Sequence, residues 1–215
     1  MNCGEPLLEY AALGDSLSVG AGTMLFDPGF VEYYLQMSRN ALQKRIKLYK
    51  FAKSGATTKD VLNMIQHPCV AEAIRHADII TITAGGNDLI RAALTFLKEQ
   101  NEDALFDAQF ACTDNLSRIL NAIDALVLEE EGPYIVRLVN LYNPFPGLSQ
   151  AKEWIERFNT HIESFSDMRN LKVANIYDVF KGNENRLLAA DGIHPNGKGY
   201  YLMAEEMRKL GYESL

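Results

Sequence analysis

Apolar and polar positions along the chain alternate between two periods. Residues 7–13 (LLEYAAL) form a short apolar run that stops at Gly14, the pattern of a buried strand. Across 31–45 the apolar positions Val31, Tyr34, Leu35, Ala41 and Leu42 follow helical spacing and predict an amphipathic helix. Residues 46–52 alternate as a strand, and 58–65 read as a short helix capped by Thr57. Pro68 opens another short helix, since proline suits a first helical turn. The run 78–83 (DIITIT) is rich in β-branched residues and ends at Gly85-Gly86, which marks a strand. Helical stretches follow at 89–99 and 103–128, then a strand at 134–141, a long amphipathic helix at 150–168 and a strand at 172–176. A loop leads to the turn Pro195-Asn196-Gly197, and a last helix occupies 199–210.

Strand and helix alternating about five times imply parallel strands joined by right-handed crossovers, hence an α/β sheet covered by helices on both faces. No internal repeat or linker-like segment interrupts the pattern, so residues 1–215 are read as one domain. Ligands in such sheets bind beyond the carboxyl ends of the strands. Those ends carry Gly14-Asp15-Ser16, Lys53-Ser54-Gly55, Gly85-Gly86-Asn87-Asp88 and the segment 140–146, and the loop after the fifth strand leads to Asp191-Gly192-Ile193-His194.

Composition narrows the function classes. With 47% hydrophobic and 23% charged residues the chain is ordinary globular protein, and a formal charge of −7 disfavours nucleic acid and anionic membranes as partners. Three scattered cysteines, Cys3, Cys69 and Cys112, with no CxxC, read as reduced thiols rather than a disulfide or metal framework. The N-terminus lacks a basic segment followed by an apolar one, and no uncharged apolar run reaches the roughly 18 residues of a membrane span. The chain as given is therefore expected to be soluble and cytoplasmic, without stable membrane insertion.

Ser16 follows a strand directly. It suits a helix N-cap, and it equally suits a nucleophile, which needs a base to remove its proton. Four histidines are available. His67 lies in a helix–helix connection, His76 at the amino end of the sheet and His161 in a long helix, so these three read as packed or solvated imidazoles. His194 lies in a loop with Asp191 three residues before it. A short turn can bring that carboxylate to Nδ1 and leave Nε2 facing a hydroxyl, although Asp, Gly and Pro there also build an ordinary turn. The backbone N–H groups of Ser16 and Gly55 and the side-chain amide of Asn87 can hold an oxyanion. Asp88 reads as a helix N-cap. No GxSxG elbow, P-loop or GxGxxG pattern is present.

These four blocks, Gly14-Asp15-Ser16-Leu17, Gly55, Gly85-Gly86-Asn87-Asp88 and Asp191-Gly192-Ile193-His194, resemble in order and spacing those of the SGNH, or GDSL-type, esterase and lipase family, in its bacterial lipase/acylhydrolase branch. The resemblance implies a flavodoxin-like three-layer α/β/α sandwich on a five-stranded parallel sheet. It implies Ser16 as nucleophile, His194 as base, Asp191 orienting the base, and Gly55 and Asn87 completing the oxyanion hole with Ser16. The implied chemistry is hydrolysis of a small-molecule carboxylic ester through an acyl-enzyme, with no cofactor and no metal. A carbohydrate acetyl esterase and a catalytically silent binding module on the same fold are the alternatives. Against a minimal member, the helical region 89–128 is long and reads as an insertion beside the cleft. The apolar loop 23–30 and the segment 141–146 point to Met24, Phe26, Tyr142 and Phe145 as a hydrophobic rim for an acyl chain.

Overall fold

A computed structural model describes residues 7–25, 27–99, 103–130 and 132–215. Its strands are β1 (Leu7–Gly14), β2 (Arg45–Ala52), β3 (Ile79–Thr83), β4 (Ile135–Val139) and β5 (Leu171–Ala174). They form one parallel sheet in the order β2-β1-β3-β4-β5. This is the doubly wound, flavodoxin-like order, whose connections change direction between β1 and β3. A crevice therefore opens at the carboxyl ends of those two strands.

The helices are α1 (Ser16–Val19), α2 (Phe30–Leu42), α3 (Thr58–Ile65), α4 (Pro68–Arg75), α5 (Gly86–Glu99), α6 (Asp103–Val127), α7 (Ser149–Glu163), α8 (Ile176–Phe180), α9 (Glu184–Leu187) and α10 (Gly197–Lys209). Strand parity divides the core into two layers. Ala11, Leu13, Ile80, Ile82, Val136 and Leu138 face α3, α4, α6 and α7. Tyr10, Ala12, Ile79, Ile135 and Val139 face α2, α8 and α10. Successive strand side chains point to opposite faces, so one strand serves both layers. The interior strands β3 and β4 are buried at every position. The sequence of β3 accordingly reads as a continuous β-branched run rather than as alternation, and that of β4 is aliphatic but for the buried Arg137.

Element types match the sequence pattern, and the differences lie at ends and in short pieces. The helix expected over 150–168 ends at Glu163 and tightens into a 3-10 turn, Ser164–Asp167. The stretch expected as loop between β5 and the last helix contains α8 and α9, of five and four residues. Helix α6 runs 25 residues, about 37 Å at about 1.5 Å per residue. That is roughly twice the length of a five-residue strand, so the α5–α6 pair reaches well past the sheet it packs on. Among the described residues no helix is long and apolar enough to cross a membrane. Cys69 and Cys112 are free, and Cys3 lies outside the described residues.

Candidate active site

Strand β1 delivers Ser16 to the crevice. Gly14, at φ +152°, lies so close to β3 that an added Cβ would sit 2.2 Å from Thr83 Oγ1 and 2.6 Å from Thr83 O. Only glycine lets the chain turn there. Asp15 then caps α1, its Oδ1 accepting from Leu17 N at 3.0 Å and from the Thr83 hydroxyl at 2.9 Å. Ser18 Oγ lies 2.8 Å from Thr83 Oγ1. Burial pushes the Asp15 carboxyl up, and the bonds from Leu17 and Thr83 pull against that shift. Asp15, rather than Ser16, is thus the helix cap. Ser16 occupies the first helical position, 9% exposed, where its backbone N–H has no intrahelical partner.

His194 arrives from the loop between α9 and α10. Its Nε2 is 3.0 Å from Ser16 Oγ, across 178 residues of chain, and its Nδ1 is 2.7 Å from Asp191 Oδ2. Asp191 Oδ1 also accepts from the N–H groups of Ile193 and His194, each at 2.9 Å. Partial burial works against the Asp191 charge, but the bonds from the His194 ring and the two backbone groups prevail and hold its carboxyl at about 2. Three further contacts brace the loop. Ala189 N donates to His194 O at 2.8 Å, Tyr142 Oη donates to Ile193 O at 2.6 Å, and the amide of Asn196 donates to the carbonyls of Arg186 and Leu188.

Gly55 and Asn87 follow the carboxyl ends of β2 and β3. Gly55 has φ +78°, with open space where a side chain would be, so its backbone can be approached closely. Asn87 Nδ2 donates to Ala56 O at 2.9 Å. An amide nitrogen carries two hydrogens, so one remains for another acceptor. Asp88 corrects the expectation of a cap on its own helix. It lies in the first turn of α5 and instead accepts from Thr58 N (2.9 Å) and Thr58 Oγ1 (2.7 Å), holding the start of α3. That helix is also capped by Thr57, which exchanges bonds with Asp60, a device contributing about 1 kcal/mol. The turn carrying Gly55 and Ala56 is therefore fixed to α5 from both ends.

Of the expected rim, Met24 and Phe145 are 78% and 41% exposed, and Phe26 lies outside the described residues. Tyr142 differs from the expectation. Its ring is buried and stacked on Phe180 at 4.4 Å, and its hydroxyl is committed to Ile193, so it braces the histidine loop. His67, His76 and His161 stay away from the crevice, on or beside α4 and α7. The sequence reading missed Thr83 and the bracing role of Tyr142. A polar residue closing an otherwise apolar strand was the available sign for Thr83, and nothing local marked Tyr142.

The model of the GDSL-like lipase/acylhydrolase family matches residues 12–202. The chain belongs to this family. It is 42% identical over 208 residues to the spore germination lipase LipC of Bacillus licheniformis, spanning 97% of this chain and 98% of that protein. A lipase from a goat rumen metagenome, Lip_vut3, superposes with a TM-score of 0.91 at 42% identity, covering 95% of this chain and 98% of that one. An acetyl xylan esterase, Axe2, from Geobacillus stearothermophilus shares the fold at 19% identity, with a TM-score of 0.71 over 99% of this chain and 98% of that one. As a GDSL-type protein the chain is a carboxylic ester hydrolase, and its substrates are small-molecule esters.

Proposed function

We propose that Ser16 is the nucleophile of this esterase, His194 its general base and Asp191 the carboxylate that orients the base. The carrying observation is the unbroken line of hydrogen bonds from Ser16 Oγ through both ring nitrogens of His194 to Asp191. Ser16 Oγ attacks the ester carbonyl as His194 Nε2 takes its proton, and Asp191 stabilises the imidazolium that forms. The oxyanion is held by the N–H groups of Ser16 and Gly55 and the amide of Asn87. His194 then protonates the departing alcohol, and water cleaves the acyl-enzyme by the reverse route. The chemistry runs on these side chains alone, without a cofactor.

Met24 and Phe145 offer apolar surface near the mouth, which suits an acyl chain. The whole chain is read as one hydrolase domain, with α5–α6 as its addition beside the cleft. The net charge of −7 argues against nucleic-acid partners, and free Cys69 and Cys112 fit a reducing, cytoplasmic setting.

Labelling tests the reading directly. A fluorophosphonate probe is expected to add to Ser16, located by peptide mass spectrometry, and labelling is expected to vanish on prior denaturation. A folded protein that leaves Ser16 unlabelled is instead a silent binding module on this fold. Asn87→Ala is expected to lower kcat about 100- to 1000-fold and to cost only the order of 1 kcal/mol in stability, for the lost bond to Ala56. Kinetics with a thermal melt separate these effects, and a kcat within threefold of the parent removes Asn87 from the oxyanion hole.

A further inference from the structure

The turn that carries Gly55 stands out from the sheet. Lys53, Ser54 and Gly55 are exposed, and burial resumes only at Ala56. Gly55 has φ +78° and nothing packed where a side chain would be. A glycine on an exposed tip changes conformation at little cost. A donor to an oxyanion is effective only when its direction is set before the reaction begins. The Gly55 N–H therefore needs restraint from outside its own residue.

Part of that restraint is backbone. Lys53 N donates to Gly14 O at 3.0 Å, tying the turn to the end of β1, and Ala56 N donates to Lys53 O at 3.0 Å, closing the turn. The rest comes from α5. Asn87 Nδ2 donates to Ala56 O and Arg91 Nη2 donates to Gly55 O, each at 2.9 Å. Residues 87 and 91 are four apart on one helix, so their side chains share a face and meet successive carbonyls. Gly55 O and Ala56 N belong to one peptide unit. With its N–H on Lys53 O and its C=O on Arg91, that unit is held at both ends, directly beside the Gly55 N–H.

The choice of partner is informative. The charge of Arg91 favours the ionised forms of Asp60 and Asp88. Both carboxylates nevertheless give their close bonds to Thr57 and Thr58, and among the described residues Arg91 forms no ion pair. Its guanidinium is spent on a backbone carbonyl of the turn. A guanidinium stays charged at every working pH, so this charge-assisted bond does not switch off.

We propose that Arg91 is a positioning residue for the oxyanion hole, holding Gly55 O and thereby fixing the direction of the Gly55 N–H. The proposal rests on the reading of that N–H as an oxyanion donor. Its effect falls on the transition state, where the ester oxygen becomes negative, and not on the bound ester.

Two variants test it. Arg91→Met keeps an apolar stem and removes the donor, while Arg91→Lys keeps the charge and a donor. For Arg91→Met, kcat for p-nitrophenyl butyrate is expected to fall about tenfold, a part of what a whole oxyanion donor contributes, with KM within about twofold of the parent. Butylboronic acid reports the same contact without turnover. Its boron bonds to Ser16 Oγ as the hydroxyl proton passes to His194 Nε2, and the tetrahedral anion sets an oxygen in the hole. Its inhibition constant is expected to rise about tenfold in Arg91→Met, in step with kcat. Arg91→Lys is expected to recover both values to within about threefold of the parent, and the thermal melts of both variants to match it. A kcat for Arg91→Met within about twofold of the parent, a loss confined to KM, or a fallen melting temperature with no recovery in Arg91→Lys overturns the role of Arg91. A boronate constant that moves in Asn87→Ala but not in Arg91→Met overturns Arg91 alone and leaves the oxyanion hole standing, whereas one that moves in neither overturns both. A parent that neither hydrolyses the ester nor binds the boronate overturns the Ser16 reading itself.

Discussion

Ser16→Ala is expected to lower kcat for p-nitrophenyl butyrate by about 10,000-fold or more, with the fold unchanged. On the proposed role the hydroxyl bonds to the acyl group, so no neighbouring side chain can replace it. Among the described residues its side-chain partner is His194, at 3.0 Å. That bond lies at the rim of the crevice rather than in the core, and the melting temperature should stay within a few degrees of the parent. What survives is the binding and oxyanion contribution alone. A variant that keeps more than a tenth of parental kcat moves the nucleophile to another residue.

Asp191→Asn is expected to lower kcat about 1,000- to 10,000-fold with little change in KM. The carboxylate accepts from Nδ1 of His194 and thereby leaves Nε2 free to accept the Ser16 proton. An amide nitrogen in its place donates to Nδ1 and drives the ring into the opposite tautomer, which cannot act as base. The remaining oxygen can still accept from Ile193 N and His194 N, so the loop keeps its shape. The sign of the pH effect is set by the lowered Asp191 carboxyl, held at about 2. A depressed carboxyl contributes its stability above the ordinary value of about 3.9, and the contribution is lost as pH falls through about 2. Asp191 is therefore charged throughout the working range. A kcat for Asp191→Asn within tenfold of the parent, measured from pH 6 to 9, would show that the ring does not depend on this carboxylate.

The parts of the fold most legible in the sequence are those decided by burial on both sides. The run DIITIT reads as a strand, and β3 lies inside the sheet, buried at every residue. Helix α3 was legible because its cap chemistry is local, Thr57 and Asp60 standing three residues apart. The short helices α8 and α9 were not, since five and four residues barely exceed one turn and carry no period. Asp191 and His194 could be paired from spacing because one turn joins them. Asp88 could not be assigned its partner, because Thr58 is 30 residues away and the bond exists only once α3 and α5 are side by side. Tyr142 shows the same limit over 51 residues, where an apolar neighbourhood suggested a substrate rim and the hydroxyl instead meets a backbone carbonyl.

The hydroxyl and the imidazole come from opposite ends of the polypeptide, with α10 packed on α2 behind the histidine loop. On the proposed roles, a growing chain exposes its reactive serine long before the residue that can activate it has been translated. On the same roles a chain made only as far as α9 has the hydroxyl without its base, and turnover waits for the segment that carries His194. Enzymatic activity in this protein therefore doubles as a reporter of completed folding.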